Sequence, residues 1–541
     1  MALAAGRKAQ ITRSTLIVMA SFAAAKGISL LQTVLIARSF GISTEYDAFV
    51  AANRLPEVIF NLIAGGAITF AFIPVFTGLL AKDETSTAWK TASHVANTIF
   101  ALTAVISLLA FLLAPWLVSQ VISPGFSPET QSLTIEIMRT LLLSTLIFSI
   151  SGLVMGILQS FNRFLLPALA PILYDVGILI GVIFLMPTMG IYGLAWGAVL
   201  GAAMHLLIQV PGLLKVKARW WPELGWKDPN FRQVVVLFIP RAADLALVSV
   251  SAIILTNLLS RLGEGATSAF DWGWRLMQIP ETLIGTAMGI VIFPTLAALS
   301  SLGDVEGKRS AMAGSLRFIL VATIPSAVLL IAAGRPMLSL LEGGAFDASA
   351  TNLVYSTLIF FSAGIVVHSL LEVVARSFYA DKDTLTPLIV AVGGAVINIA
   401  AAVAFSGLLT GNASPENVGA LALANTLGIG FEVVALALIL RKRWHGIHEN
   451  ALIRTTIRTL IASIAMGAAV MGVNFLFSAL GFAERGTLWT IIQLAINFIV
   501  AAVVFIGAAY LIKLDEVKIF LSRSVQYLRS LFRRSEAQTA T

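Results

Sequence analysis

The 541 residues are 58% hydrophobic and only 12% charged, with a mean hydropathy of +0.91. Soluble globular domains carry about a quarter of their residues charged, so this composition indicates an all-α polytopic membrane protein. The absence of cysteine excludes disulfides, thiolate metal sites and cysteine catalysis, and the net charge of +8 is expected to mark cytoplasmic loops and the anionic leaflet, not nucleic acid.

The first apolar stretch, Thr15 to Ala37, is too long for a signal-peptide core and lacks a small-residue cleavage site after it. We read it as a retained helix. Apolar windows long enough to cross the hydrocarbon core follow at roughly 15–38, 50–79, 93–118, 133–158, 164–186, 190–213, 234–259, 267–298, 313–333, 351–376, 384–409, 418–440, 455–480 and 487–512. That predicts fourteen membrane helices. With a cytoplasmic N-terminus, the cytoplasmic segments hold 27 of the 36 lysines and arginines and the opposite side holds four. Both termini are therefore expected in the cytoplasm.

Five cations fall inside apolar windows: Lys26, Arg54, Arg139, Arg241 and Arg275. A charge near the bilayer centre costs ~2.5–3.5 kcal/mol even on the lenient insertion scale, so it normally faces a partner or a wet cavity. The stretch Asp47 to Glu57, DAFVAANRLPE, concentrates such charges. It also recurs: Ala48-Phe49 and Arg54-Leu55 return as Ala269-Phe270 and Arg275-Leu276, 221 residues later. Pro115-Trp116-Leu117 ahead of Phe126 is matched by Pro336-Met337-Leu338 ahead of Phe346. The chain therefore reads as two six-helix bundles related as parallel repeats about the membrane normal, facing each other across a cleft, plus two C-terminal helices. The expected domains are residues 1–232, with a basic linker from Lys215 to Arg232 whose tryptophans sit at headgroup level, then 233–445, then 446–541 with a basic amphipathic tail.

DAFVAANRLP, GILQSFNRFLLPALAP (Gly156 to Pro171), AWGAVLGAAMHLLIQVP (Ala195 to Pro211), RLMQIP (Arg275 to Pro280) and SFYADKDTLTP (Ser377 to Pro387) resemble the MurJ/MviN lipid II flippases of the multidrug/oligosaccharidyl-lipid/polysaccharide exporter superfamily. The resemblance covers the first twelve windows in register. It implies a bacterial cytoplasmic (inner) membrane protein that moves lipid II, an undecaprenyl pyrophosphate carrying a disaccharide pentapeptide, from the inner to the outer leaflet by alternating access. It further implies a role in peptidoglycan synthesis, no bound cofactor, and sodium or the membrane potential as energy source. We expect a monomer, with cell-wall synthesis proteins as candidate partners.

A pyrophosphate carries about two negative charges, so its carrier should offer fixed cations in a wet cleft. Lys26, Arg54 and Arg275 are the candidates for substrate binding, joined by Gln32, which stands where other family members carry a second arginine on the first helix. Each has a blander reading. Arg54 can pair locally with Glu57 at i, i+3, and Arg275 with Asp271 at i, i+4. Asp47 and Glu57 are candidates for gating; for Asp47, in or next to the outer loop, the alternative is an exposed or N-capping carboxylate. Asp244 and Asn398 are candidate oxygen ligands for a sodium ion, a site the resemblance implies between the seventh and eleventh helices. Arg241, one turn from Asp244, offers a structural pair instead. Glu372 and Glu432 are isolated acids in apolar runs, either proton relays or groups with polar partners in the bundle. His205 and His368 read as hydrogen-bonded histidines, since no His-x-x-x-His spacing supports a metal centre.

The alternative within transport is an ion-coupled exporter of another polyprenyl-linked glycan or of drugs. A membrane transferase would need a carboxylate cluster at the surface, and the external loops are short with few acids, so no enzyme is expected. A pure scaffold has no use for intramembrane cations at repeated positions.

Overall fold

The computed structural model describes residues 27–64, 67–482, 486–514 and 516–517. Among the described residues the chain is helical throughout, with a single isolated bridge between Gly343 and Phe346. In chain order the helices are α1 (Gly27–Phe40), α2 (Thr44–Ile59), α3 (Ala67–Ala81), α4 (Thr85–Ile122), α5 (Pro128–Ser160), α6 (Leu165–Met189), α7 (Ile191–Lys215) and α8 (Pro229–Ser260). They continue as α9 (Ala266–Ser301), α10 (Val305–Ser339), α11 (Ala348–Ala380), α12 (Leu385–Phe405), α13 (Pro415–Arg443), α14 (Glu449–Ala479) and α15 (Thr487–Leu511). Eleven of the described helices, α4 to α7 and α9 to α15, are long and apolar enough to cross a membrane. Their outward faces are lined with large apolar side chains, as on α4 at Leu108, Leu109, Leu112 and Leu113. In lipid such exposure carries no cost, and the helix satisfies its own backbone polar groups.

Two compact units divide the chain. The first holds residues 1–268 and Gly343–Phe346, the second the remainder, so by its packing α8 belongs with the N-terminal helices. In the first unit, Phe72 and Phe76 of α3, Trp89 of α4, Ile157 of α5 and Phe231 of α8 form one apolar core. Helices α6 and α7 approach more closely than side chains allow. A Cβ on Gly177 would lie 2.2 Å from the Cα of Gly201, and one on Gly181 would lie 2.5 Å from the Cα of Gly197. Small residues at this spacing let backbones meet where no hydrophobic force drives helices together.

The basic linker is not simply a surface strap. Asn97 Nδ2 donates to the carbonyls of Trp221 and Glu223, Asn97 Oδ1 accepts from the Trp220 indole, and Ser93 Oγ accepts from the Trp221 amide. Trp220 and Trp226 are exposed, whereas Trp221 turns in against the core of the first unit. Asp228 ends the linker as the N-cap of α8 and meets His94 at 2.9 Å; these hydrogen bonds hold its carboxyl below the usual range although burial opposes them.

In the second unit, Met312 and Ile319 of α10, Val373 and Phe378 of α11, and Leu436 and Leu440 of α13 build the core. The last helix pair is tied in by amides. Asn474 of α14 donates to the Ala332 carbonyl of α10 and accepts from Gln493 and Asn497 of α15. Interhelical amide bonds of this kind replace the missing hydrophobic force in lipid.

Local geometry repeats along the chain. Helix α2 contains Pro56 and runs into a π turn at Phe60–Ala64; α9 contains Pro280 and runs through one at Thr282–Thr286. A proline removes an i to i−4 bond, and a wide turn absorbs the mismatch. Left-handed residues close helices at Asp83, Asn162, Gly303 and Lys382. At each, the next amide bonds back to a carbonyl five residues earlier, as Arg163 to Leu158 and Asp383 to Phe378.

Candidate functional site

The first turn of α2 carries Asp47, only 1% exposed. Ser43 caps that helix by accepting from the Tyr46 amide, which fixes the turn. The Asp47 carboxylate is taken up by a different helix end. Its Oδ2 accepts from the Gly265 amide at 2.7 Å; its Oδ1 accepts from the Ser268 amide at 2.7 Å and from the Ser268 hydroxyl. These are N-terminal donors of α9, which have no carbonyl partner of their own, and the positive end of the helix dipole favours an anion there. Gly265 has φ +81°, and a Cβ at that position would lie 3.0 Å from the Ile42 carbonyl oxygen. Only glycine turns that amide toward Asp47 without strain. Asp47 is thus a cap, as the blander reading has it, but for a helix more than two hundred residues away, with its latch inside the first unit.

Beside the same unit's turn, the Ala345 amide donates to the Arg38 carbonyl at 2.8 Å. Gly41, at φ +56°, lies so close to Ala345 that a Cβ would fall 2.2 Å from its carbonyl oxygen.

Two turns beyond Asp47, Arg54 is mostly buried. Its Nη1 pairs with Glu57 Oε2 at 3.3 Å, the local pair that the spacing allows, and its Nε donates to Thr256 of α8 at 3.1 Å. Glu57 is exposed on its other side. In the second unit Arg275 Nε bonds Asp271 Oδ2 at 2.6 Å, again the local pair. Here the partners differ sharply, with Asp271 8% exposed and Arg275 47% exposed. The acid is sunk in the helix packing, and the arginine side chain is nearly half exposed.

Lys26 lies outside the described residues, as does the Asp244 side chain with its neighbour Arg241. Gln32 of α1 has a buried Oε1 that meets no donor among the described residues, and so does Asn398 Oδ1 on α12. Asn398 sits where α12 and α13 pack through glycines: a Cβ on Gly428 would lie 2.8 Å from the Asn398 Cβ, and one on Gly394 would lie 2.9 Å from the Gly428 carbonyl. A buried carbonyl-type oxygen without a donor is the chemistry a hard cation uses.

The isolated acids turn out to have company. Glu372 pairs with Arg376 one turn on and accepts from Thr286, which also donates to Glu281. Glu281 was not a sequence candidate; its place directly after Pro280, as Glu57 follows Pro56, is the signal that could have found it. His205 bonds Ser151 at 2.6 Å and His368 meets Asn425 at 3.1 Å, so both histidines are structural. Ser268, Gly265 and Thr256 were also missed. Ser268 stands at the same place in its repeat as Asp47, 221 residues on, and the two touch.

A family model described as the lipid II flippase MurJ matches residues 36–508. The chain belongs to the MurJ lipid II flippase family. Among curated members of that family, the lipid II flippase MurJ of Burkholderia cenocepacia is 30% identical over 432 residues, covering 78% of this chain and 81% of the relative. The probable lipid II flippase MurJ of Rhizobium tropici is 26% identical over 484 residues, 86% of this chain and 89% of its own. A solved lipid II flippase MurJ in an inward closed conformation superposes with a TM-score of 0.73 at 23% identity, over 91% of this chain and 98% of that one. An inward-facing multidrug MATE transporter of the MOP superfamily reaches a TM-score of 0.66 at 14% identity, over 77% of this chain and 96% of that one. At those identities the two structures speak for the fold.

Proposed function

We propose that this protein is a flippase for lipid II, carrying the undecaprenyl-pyrophosphate glycopeptide from the inner to the outer leaflet of the bacterial inner membrane by alternating access. The observation that carries the reading is the family match, which runs from α1 through α15. The exporter alternative is less favoured, because the MATE fold covers less of this chain at lower similarity than the MurJ fold does. The protein acts in peptidoglycan synthesis as a transporter, not a catalyst. The reading takes fourteen crossings, the eleven apolar helices together with α1, the α2–α3 segment and α8, and places both termini in the cytoplasm. It also takes the protein as a monomer.

Within that function, Lys26, Arg54 and Arg275 are assigned to the pyrophosphate, with Gln32 as a neutral hydrogen-bonding neighbour. The exposure of the Arg275 side chain beside a buried acid supports this. Asp47 and Glu57 are assigned to gating. For Asp47 the support is its capping of α9, a contact that a movement of α2 against α9 has to break. Asn398 and Asp244 are assigned to a sodium ion as the coupling species, supported by the unpartnered Asn398 oxygen.

The test is native mass spectrometry of the purified protein with lipid II, undecaprenyl pyrophosphate and an unrelated glycan-linked lipid, for wild type and Arg275→Ala. Selective binding of lipid II that is lost in the variant is the expected outcome. Equal binding of all three lipids would transfer the protein to the broader exporter class. For the ion, Asp244→Asn should change the sodium dependence of flipping in proteoliposomes; an unchanged dependence removes Asp244 from the site.

A further inference from the structure

Where α13 gives way to α14, the second unit has a cavity of about 680 Å³ that the flippase reading does not use. Its wall brings cations from two helices together: Arg309 from the first turns of α10, and Arg441 and Lys442 from the last turn of α13. The turn residues His445 and Gly446 close it, and Glu449, the first residue of α14, is the one carboxylate in the lining. Glu449 is committed to Arg441 at 2.8 Å, and Arg309 Nη1 reaches out to Glu306 at 2.7 Å. Glu306 also meets His448 at 3.2 Å. Arg309 Nε is buried with no acceptor among the described residues, and Lys442 is exposed at the rim. The pocket therefore keeps donor capacity and positive charge after its internal pairs are made.

We propose that this pocket binds the phosphate of an anionic phospholipid. The cavity is held open by the turn. Gly446 stands at φ +121° with its amide bonded to the Arg441 carbonyl, and a Cβ there would lie 3.0 Å from Arg309 Nη2. Any other residue would narrow the wall at the guanidinium. Arginine and lysine at such a site suit a phosphate, by fork and by point charge respectively.

The surface next to the cations explains why the phosphate comes on a lipid and not free in solution. Leu438 forms the apolar side of the pocket and is 55% exposed. Away from the turn, α13 goes on exposing Val434, Phe431 and Leu427 at helical spacing, and α14 exposes Ile453, Ile457, Leu460 and Ile464. From Leu438 to Leu427 the helix rises ~16 Å, about half of a hydrocarbon core of ~30 Å. Two apolar stripes about one leaflet long thus end at one cationic rim. Basic pockets between helices at this level are how headgroups of anionic lipids are held.

The full-length protein in nanodiscs of phosphatidylglycerol or of phosphatidylcholine, released into native mass spectrometry, tests this. The wild type should retain phosphatidylglycerol and not phosphatidylcholine, and millimolar inorganic phosphate should not displace it. Lys442→Gln, at an exposed position that leaves folding intact, should weaken retention roughly tenfold, the scale of one charged hydrogen bond, and Lys442→Arg should restore it. Arg309→Gln should weaken it as well. Undiminished retention in Lys442→Gln, equal retention of phosphatidylcholine, or displacement by inorganic phosphate would each overturn the proposal.

Discussion

Asp47 and Asp383 are held by nearly the same set of donors. Asp383, in the turn between α11 and α12, accepts from the Thr386 amide at 2.9 Å and the Thr386 hydroxyl at 2.7 Å, as Asp47 accepts from the amide and hydroxyl of Ser268. Each caps the first turn of a helix. The difference lies in reach and in water. Asp383 caps its own helix three residues on, stays partly exposed and adds Arg443 at 2.6 Å. Asp47 is buried, crosses to a helix 221 residues away, and replaces the guanidinium with the Gly265 amide. Identical local chemistry is therefore a helix stop in one place and a latch between remote elements in the other.

The sharpest way to break that comparison is to remove the Asp47 carboxylate. Asp47→Ala leaves two buried amides and a hydroxyl without an acceptor, at ~1–3 kcal/mol each, so unfolding in detergent should fall by several kcal/mol and lipid II flipping should be lost. Asp47→Asn keeps one acceptor oxygen but turns its NH₂ on a donor, and should recover part of the stability. A wild-type melting temperature and transport rate in Asp47→Ala would mean that the latch holds nothing.

Why this latch was invisible in the sequence is instructive. A repeat within the sequence is legible, with Ala48-Phe49 returning as Ala269-Phe270, and the apolar windows find the helices, although α4 and α10 begin eight residues ahead of theirs and one window spans both α2 and α3. What a repeat tells is that two residues have equivalent surroundings, not that they touch. Asp47 and Ser268 touch, and only the three-dimensional path of α2 and α9 supplies that. Arg54 is a similar case. Its pair with Glu57 follows from i, i+3 spacing, whereas Thr256, 202 residues away, does not. The linker's Trp221 was legible as aromatic and interfacial, but Asn97, which turns the linker backbone and so sends that ring inward, lies on another helix. Short-range periodicity carries helix placement and local pairs; contacts between distant helices depend on packing geometry that no window contains.

Asp271 stands between the two extremes, buried like Asp47 but paired with an arginine like Asp383. Arg275→Gln strips the cation from a carboxylate that has little water to fall back on, which in buried pairs costs ~3–5 kcal/mol and here, with Arg275 half exposed, less. Asp271→Asn added to Arg275→Gln should restore part of the melting temperature, because it removes a buried carboxylate that has lost its arginine. Flipping should stay lost in the double variant, since the guanidinium assigned to the pyrophosphate is still missing. Recovery of both would reduce Arg275 to the partner of Asp271 and take it out of the substrate assignment.

The smallest effect belongs to Asp383. Burial would raise its carboxyl, but the Thr386 hydrogen bonds and the Arg443 guanidinium outweigh that and lower it from 3.8 to about 2. The folded state thus binds the proton less readily than the unfolded chain. The stabilisation is full above about pH 5, where both states are ionised, and is lost as the pH falls from about 4 toward 2; between about pH 5 and 9 it is flat. A partly exposed pair contributes ~0–1 kcal/mol, so Asp383→Asn should lower the melting temperature slightly at neutral pH and not at all near pH 2. Arg443→Gln should reproduce the neutral-pH loss in weaker form, because the Thr386 donors remain. A drop as large as that of Asp47→Ala would show that the α11–α12 turn is itself a latch, and the contrast between a local cap and a remote one would no longer explain the two aspartates.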